Sequence, residues 1–293
     1  MSALFRTLNS ALDRLVLITP LWVPALLLIP VLYAIGWIKA QLLTLIGLPP
    51  EAVSLVGTLF SFVLFLLLMP RWIRLRWGIR RPWRALGICG SGDDGHPLML
   101  SMLFRGLIWA ALLLALVVIP LLVGSWGSWR GDWSLRMALD ALLLLFGAGM
   151  AEELIFRGWL WGELDRMVGP LGGLFAQAAI FSLVHTRFNL GVMPMVGLLT
   201  GLFLLGLALA VRRHLDQGSL WGCIGLHGGL VSGWFVLEKG LLELSPDAPA
   251  WLSGPGGLNP NPLGGAVAIT ALTLLLWRQR MDLAKALRPD KAS

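Results

Sequence analysis

The chain has 293 residues, of which 57% are hydrophobic and only 13% charged, and its mean hydropathy is +0.79. Soluble domains carry about 25% charged residues, so this composition excludes an ordinary soluble protein and favours one embedded in a bilayer. The net charge of +7 and the pI of about 10.4 could indicate a nucleic-acid partner, but the basic residues lie at the edges of apolar segments. Membrane topology and anionic lipid headgroups explain the charge better, so no nucleic-acid partner is expected.

Apolar segments recur along the whole chain. A spanning helix needs about 20 predominantly apolar residues, and eight segments are candidates. They are residues 21–47, 53–70, 103–124, 136–158, 171–188, 191–211, 219–238 and 263–277. The first is long and interrupted by Pro24 and Pro30, which favours a retained span over a cleaved signal peptide. Without a linker or an obvious repeat, the sequence predicts an all-α polytopic membrane helix bundle of about eight transmembrane helices, with residues 1–293 as a single membrane domain.

The orientation of these spans follows from their basic flanks. With the N-terminus inside, 17 of the 23 Lys and Arg residues fall on the cytoplasmic side, including the cluster between Arg71 and Arg84. Cytoplasmic loops carry such an excess of basic residues. The sequence therefore predicts an integral protein of the plasma (inner) membrane with both termini cytoplasmic.

The segments between the spans carry few structural signals. Residues 239–262, on the predicted outer side, are rich in Pro and Gly and read as a loop without regular structure. Cys89 lies in a cytoplasmic loop and Cys223 in a predicted span, and nothing in the sequence pairs them. No disulfide is expected.

Glu152 and Glu153 stand side by side within the apolar segment 136–158. A charged side chain at the bilayer centre costs at least about 2.5 kcal/mol, so ionisable groups there are functional by default. On a helix, Glu153 and Arg157 share one face in the favourable acid-before-base order. Glu152 is rotated by about 100° and is left without that partner. One carboxylate is thus neutralised locally, and the other is free to titrate or to bind.

Two histidines lie on the helices that follow. If the chain turns at Gly169-Pro170, Glu152 and His185 reach nearly the same height on neighbouring antiparallel helices, at about 1.5 Å per residue. His227 lies on the seventh predicted helix beside Gly228 and Gly229, and glycines permit close helix approach or local unwinding. The sequence therefore predicts that one carboxylate and two imidazoles meet at one depth.

Such a group can hydrolyse a peptide bond in two ways. Glu152, His185 and His227 can hold a zinc ion whose bound water is the nucleophile. Alternatively, Glu152 deprotonates a water and the histidines stabilise the oxyanion, with no metal required. If Glu152 is a zinc ligand, the site has no free base, because Glu153 is committed to Arg157. The sequence leaves both mechanisms open.

At these residues the chain resembles the CAAX protease and bacteriocin-processing (CPBP) family, which includes the type II CAAX prenyl endopeptidases. The family motifs are Glu-Glu-x-x-x-Arg, Phe-x-x-x-His and His-x-x-x-Asn or a similar polar residue. The first is met by Glu152 to Arg157 and the second by Phe181 to His185. The third is met only at His227, since Val231 occupies the polar position. The resemblance covers roughly residues 140–240, the family-like catalytic core.

The resemblance implies an intramembrane CAAX-type endopeptidase acting on a membrane-associated protein or peptide. Glu152 would activate the water, Glu153 would be held by Arg157, and His185 and His227 would complete the site. Members are commonly named metalloproteases, although a metal-free glutamate mechanism is also argued for them. Two alternatives come from other classes: a proton-coupled transporter using the same residues as a relay, and a catalytically silent scaffold or immunity protein, which Val231 keeps open.

Overall fold

The computed structural model describes residues 10, 13–89, 99–257, 259–281 and 284. The chain forms two compact units, Met1–Ala85 and Leu86–Ser293. No change in composition separates the two units, and both are built from the same kind of apolar helix. The sequence therefore predicts a single domain. Only the pattern of spatial contacts divides them. Arg6, Lys285, Arg288 and Lys291, on which the predicted orientation partly rests, lie outside the described residues.

The described part of the first unit contains two long helices and one short one. Helix α1 spans Trp22–Thr44, α2 spans Val53–Trp72 and continues as a π-helical turn over Ile73–Trp77, and α3 spans Pro82–Ala85. Arg71, at the end of α2, pairs with Asp13 through a 2.6 Å contact between Nε and Oδ1. This ion pair ties the segment before α1 to the end of α2.

The described part of the second unit contains eight further α-helices. They are α4 (Met99–Val123), α5 (Leu135–Leu143), α6 (Gly149–Glu153), α7 (Trp161–Leu183), α8 (Val192–Leu215), α9 (Trp221–Val236), α10 (Ala250–Ser253) and α11 (Ala266–Arg278). Its main buried core lies between α4, α7, α8, α9 and α11 and includes Phe181, Leu205, Cys223 and Leu272. This core packs against the helices that carry the predicted site residues.

A continuous helical run joins α5, α6 and α7 through π-helical turns over Leu144–Ala148 and Leu154–Leu160. The predicted reversal at Gly169-Pro170 is present, because Gly169 leaves the helical conformation with φ 76° and ψ 169°. A side chain at Gly173, just past this reversal, would collide with Asp165 Oδ1 at 2.1 Å. Burial of the Asp165 carboxyl raises its pKa to about 6. The helical segment before the reversal therefore packs closely and antiparallel against the half of α7 that follows the reversal.

Four helical stretches in the described residues are long and apolar enough to cross a bilayer: Trp22–Thr44, Pro50–Trp77, Met99–Val123 and Val192–Leu215. Each of the other predicted segments also contains a helix, but those helices are shorter or carry more charge. The predicted helical membrane architecture is therefore confirmed, but the predicted count of about eight spans is not. The membrane character follows from the four long apolar helices.

Glycines bring α9 into backbone contact with two neighbouring helices. A Cβ atom at Gly225 would lie 2.2 Å from the carbonyl oxygen of Leu103 on α4. A Cβ atom at Gly149 on α6 would lie 2.7 Å from the Cα atom of Gly228 on α9. Only glycine permits this approach, so the glycines flanking His227 produce close packing and not unwinding. His227 is thereby placed against the helix that carries Glu152 and Glu153.

The predicted outer loop contains more regular structure than expected. Strand β2 (Leu242–Leu244) pairs antiparallel with β1 (Gly127–Trp129), which follows α4. Further along, α10 and a 3₁₀ turn over Pro262–Gly264 lead into α11. Pro and Gly mark turns in a sequence, but a two-stranded pairing between segments more than a hundred residues apart leaves no local signal.

Native cysteines offer a direct test of the predicted orientation. Cys89 is exposed and Cys223 is buried. If the Arg71–Arg84 side is cytoplasmic, a membrane-impermeant maleimide should label Cys89 in inside-out vesicles and not in intact cells. The Cys89→Ser variant, which should remain unlabelled in both preparations, is the control. Labelling of Cys89 from the outside of intact cells would show the predicted orientation to be wrong.

Candidate active site

Glu152 and Glu153 are the last two residues of α6, a five-residue α-helical segment between two π-helical turns. A π-helical turn inserts one residue into a helix, shifts the facing of the side chains beyond it, and is frequent at functional sites. Glu153 is fully buried, whereas the Glu152 side chain is 33% exposed. The two adjacent carboxylates thus occupy different environments.

Glu153 pairs with two groups through one oxygen. Its Oε1 accepts from Arg157 Nη1 at 2.8 Å, which is the pair predicted from their spacing of four. The same oxygen lies 2.7 Å from His227 Nδ1 on α9. Arg157 is also fully buried, and its guanidinium lies 4.0 Å from the ring centroid of Phe181. Glu153 therefore both neutralises Arg157 and orients His227.

Glu152 faces both histidines. Its Oε2 lies 3.5 Å from His185 Nε2 and 3.7 Å from His227 Nε2. These distances exceed a normal hydrogen bond, and this buried oxygen has no hydrogen-bond partner among the described residues. The three residues predicted to converge do so, with one oxygen of Glu152 facing the Nε2 atoms of both imidazoles.

His185 differs from its predicted setting. The sequence predicts a helix through residue 188, but α7 ends at Leu183 and His185 lies in the following turn, where its backbone N–H donates to Ser182 O at 3.1 Å. Its Nδ1 lies 2.7 Å from Phe181 O. The carbonyl of Phe181, in the last turn of α7, therefore holds the imidazole of His185.

Phe181 lies at the centre of the group. Its ring centroid lies 4.8 Å from that of His185 and 5.5 Å from that of His227, and the ring is fully buried. It also packs edge-on against Phe156 at 5.2 Å. One aromatic ring thus limits the movement of both imidazoles and of the Arg157 guanidinium.

The partners of the two imidazoles fix their tautomers. The carbonyl of Phe181 and the Arg157-paired carboxylate of Glu153 can only accept hydrogen bonds, so Nδ1 of each histidine carries a hydrogen. In the neutral ring, each Nε2 then presents a lone pair toward Glu152. It can donate only when the ring is protonated. The groups nearest Glu152 Oε2 are therefore acceptors unless a histidine is charged.

A cavity of about 440 Å³ adjoins these residues. Its walls are mainly apolar, and its polar lining includes Glu152, His185 and His227. Val231, at the position where the resemblance implies a polar residue, also lines it, while the neighbouring Ser232 is buried and is not part of the lining. A volume of this size with mainly apolar walls is typical of a ligand-binding pocket.

The cavity lies at the end of the second unit where residues 242–265 connect α9 to α11. Asn261 and Leu263 of this connection line it, as does Trp234 near the end of α9. Arg212, Arg213 and Arg278 lie at the opposite helix ends. The site is therefore nearer the end of the bundle that the predicted orientation places outside.

Within the described residues, no group of three or more His, Cys, Asp or Glu side chains is arranged to hold a metal ion. Glu152, His185 and His227, the possible zinc ligands, meet at one carboxylate oxygen without forming a recognisable metal centre. The zinc site at these three residues stays a prediction.

Sequence reasoning missed two features of the site. The bond from His227 to Glu153 spans 74 positions, and the sequence offers only the glycines near His227 as an indirect sign of close packing. The contribution of the 242–265 connection to the cavity has no sequence signal beyond an Asn-Pro-Asn-Pro run at residues 259–262.

Two protein families match different parts of the chain. Residues 133–232 match the type II CAAX prenyl endopeptidase Rce1-like family, and residues 7–81 match a domain of unknown function, DUF8676. The comparisons with curated proteins and with solved structures give no match. The two matched stretches fall into the two compact units, and the Rce1-like stretch contains Glu152, Glu153, Arg157, His185 and His227.

Proposed function

We propose that the chain is an endopeptidase that hydrolyses a peptide bond of a membrane-associated substrate. The match of residues 133–232 to the type II CAAX prenyl endopeptidase Rce1-like family supports this proposal. The observation that carries this proposal is the meeting of Glu152 Oε2 with the Nε2 atoms of His185 and His227 beside a largely apolar cavity. Four apolar helices make it an integral membrane protein, so its substrate is presented at the bilayer.

In this proposal Glu152 is the general base. It removes a proton from a water molecule whose oxygen attacks the carbonyl carbon of the scissile bond. The proton then passes to the amide nitrogen as the C–N bond breaks, which leaves a carboxylic acid and an amine. Glu153 cannot take this role because its Oε1 is engaged by Arg157 and His227.

The histidines have two roles that depend on their charge. Neutral His185 and His227 accept hydrogen bonds at Nε2 and so orient the attacking water. A protonated ring donates at Nε2 and stabilises the oxyanion. Their Nδ1 partners, Phe181 O and Glu153, hold both rings in position throughout.

The side from which the substrate enters follows from the orientation of the protein. With the basic helix ends cytoplasmic, the cavity is nearer the outer surface, and the scissile bond enters from that side. With the reverse orientation, the same cavity receives a cytoplasmic substrate. The Cys89 labelling described above decides between these two substrate classes.

The proposal is tested by comparing cells that contain the wild type or the Glu152→Gln variant. Quantitative mass spectrometry of protein termini in their membranes should reveal new termini that are present only with the wild type. These termini identify the cleaved bond. Identical sets of termini in both strains, with equal amounts of folded protein, would contradict the protease assignment.

Metal dependence gives a separate prediction. We propose that no metal is required, because a metal-bound Glu152 could not serve as the base and Glu153 is already engaged by two partners. Purified protein treated with a strong chelator should therefore retain its cleavage rate within about twofold. Loss of activity together with stoichiometric zinc, and recovery of both on zinc addition, would show this preference to be wrong.

The alternatives from other classes are not favoured. A proton-coupled transporter is expected to show matched helices in two inverted halves. Here the two compact units match different families and only the second carries the paired glutamates. A silent scaffold would not be expected to retain an unpaired carboxylate facing two imidazoles.

A further inference from the structure

Hydrolysis places a negative charge on the carbonyl oxygen of the substrate. A hydrogen-bond donor aimed at such an oxygen contributes about 10²–10³-fold to the rate. The groups nearest Glu152 Oε2 are acceptors when both imidazoles are neutral, and Val231 brings no polar atom to the cavity. If both rings are neutral when the oxyanion forms, its hydrogen-bond donor must come from elsewhere in the lining.

The other polar side chains of the cavity are mostly engaged. Arg187 Nη1 donates to Asn259 O at 3.2 Å, and Trp234 Nε1 donates to Pro260 O at 2.9 Å. Asn259 is exposed, and its Oδ1 accepts from Lys239 at 3.4 Å. Arg187 and Asn259 also keep N–H groups that have no partner among the described residues, but Asn261 differs because its side chain is fixed by a bond to a backbone N–H.

Asn261 Oδ1 accepts from the backbone N–H of Leu263 at 3.1 Å, at the start of the 3₁₀ turn before α11. Since a backbone N–H can only donate, the acceptor must be the amide oxygen. The two hydrogens on Nδ2 are therefore left for another partner, and none is found among the described residues. The cap also restricts the side-chain rotamer, so Nδ2 is a positioned donor.

Two contacts hold the connection that carries Asn261. Its own backbone N–H donates to Pro255 O at 2.9 Å, which closes the turn. The bond from Trp234 to Pro260 fastens the preceding residue to α9, one helical turn beyond Val231. Asn261 and Val231 therefore line the same cavity from two different elements.

We propose that Asn261 Nδ2 donates a hydrogen bond to the substrate carbonyl oxygen during hydrolysis, which supplies from the α9–α11 connection the polar group that Val231 lacks on α9. The inference rests on the proposed function. The inference predicts that a donor introduced at position 231 can replace the donor at position 261.

The test uses the Glu152-dependent cleavage product as its readout. Asn261→Asp keeps the oxygen that caps Leu263 but removes the donor, and should lower kcat about 10²–10³-fold while the yield of folded protein and KM change little. Asn189→Asp is the matched control, since Asn189 is exposed and is not part of the cavity lining, and it should keep its rate within about twofold. Adding Val231→Asn to Asn261→Asp should recover at least tenfold of the lost rate.

Three results would overturn the inference. The first is a rate for Asn261→Asp within twofold of wild type, as expected if Arg187 supplies the donor. The second is an equal loss in Asn189→Asp, and the third is no recovery on adding Val231→Asn. Because Glu152→Gln is measured in parallel, its inactivity in each case would leave the proposed protease function standing, whereas an active Glu152→Gln would remove that function itself.

Discussion

Replacing Glu152 by Gln should lower the rate of substrate cleavage by about 10²–10⁴-fold, the usual contribution of a general base. Gln retains the size and shape of Glu but cannot take a proton from water. The protein should remain folded and inserted, because Glu152 Oε2 lies 3.5 Å or more from both histidines and has no hydrogen-bond partner among the described residues. The measurement is the cleavage rate of the identified substrate with purified variants in vesicles.

Glu243→Gln provides the matched control for this experiment. Glu243 lies on β2 and is exposed, so the same change of charge there should leave the cleavage rate unaffected. Full activity of Glu152→Gln at normal protein levels would rule out Glu152 as the base and with it the proposed mechanism.

The main effect of the Glu153→Gln substitution should be a lower yield of folded protein. Glu153 and Arg157 are both fully buried, and removing one partner of a buried ion pair costs about 3–5 kcal/mol, because the remaining charge is uncompensated. The contact with His227 is weakened at the same time. We expect a lower yield of monodisperse protein after detergent extraction and a lower midpoint in a thermal aggregation assay.

A second substitution separates the buried charge from other causes. Adding Arg157→Met removes the uncompensated guanidinium, so Glu153→Gln combined with Arg157→Met should recover much of the folded yield. The recovered protein should still cleave slowly, because a neutral amide orients His227 less strongly than a carboxylate does. A wild-type yield for Glu153→Gln alone would mean that the pair contributes little to stability.

Part of the site follows from local spacing and could be predicted from the sequence. The pair between Glu153 and Arg157 depends only on a separation of four within one helix. The convergence of Glu152 with His185 depends on the turn at Gly169-Pro170 and the helical rise. The ends of helices are predicted less accurately. The helix α7 ends at Leu183, and His185 lies in the turn that follows it.

The sequence by itself determined the membrane class, the helical architecture and the residues that meet around Glu152, because hydrophobic composition, helical period and motif order are local properties of the chain. Only the tertiary structure decided the division into two units, the bond from Glu153 to His227 and the place of Asn261 in the cavity. Each of these depends on backbones brought close by glycines or on turns closed by carbonyl groups. Such contacts join residues far apart in the chain, and no local pattern records them.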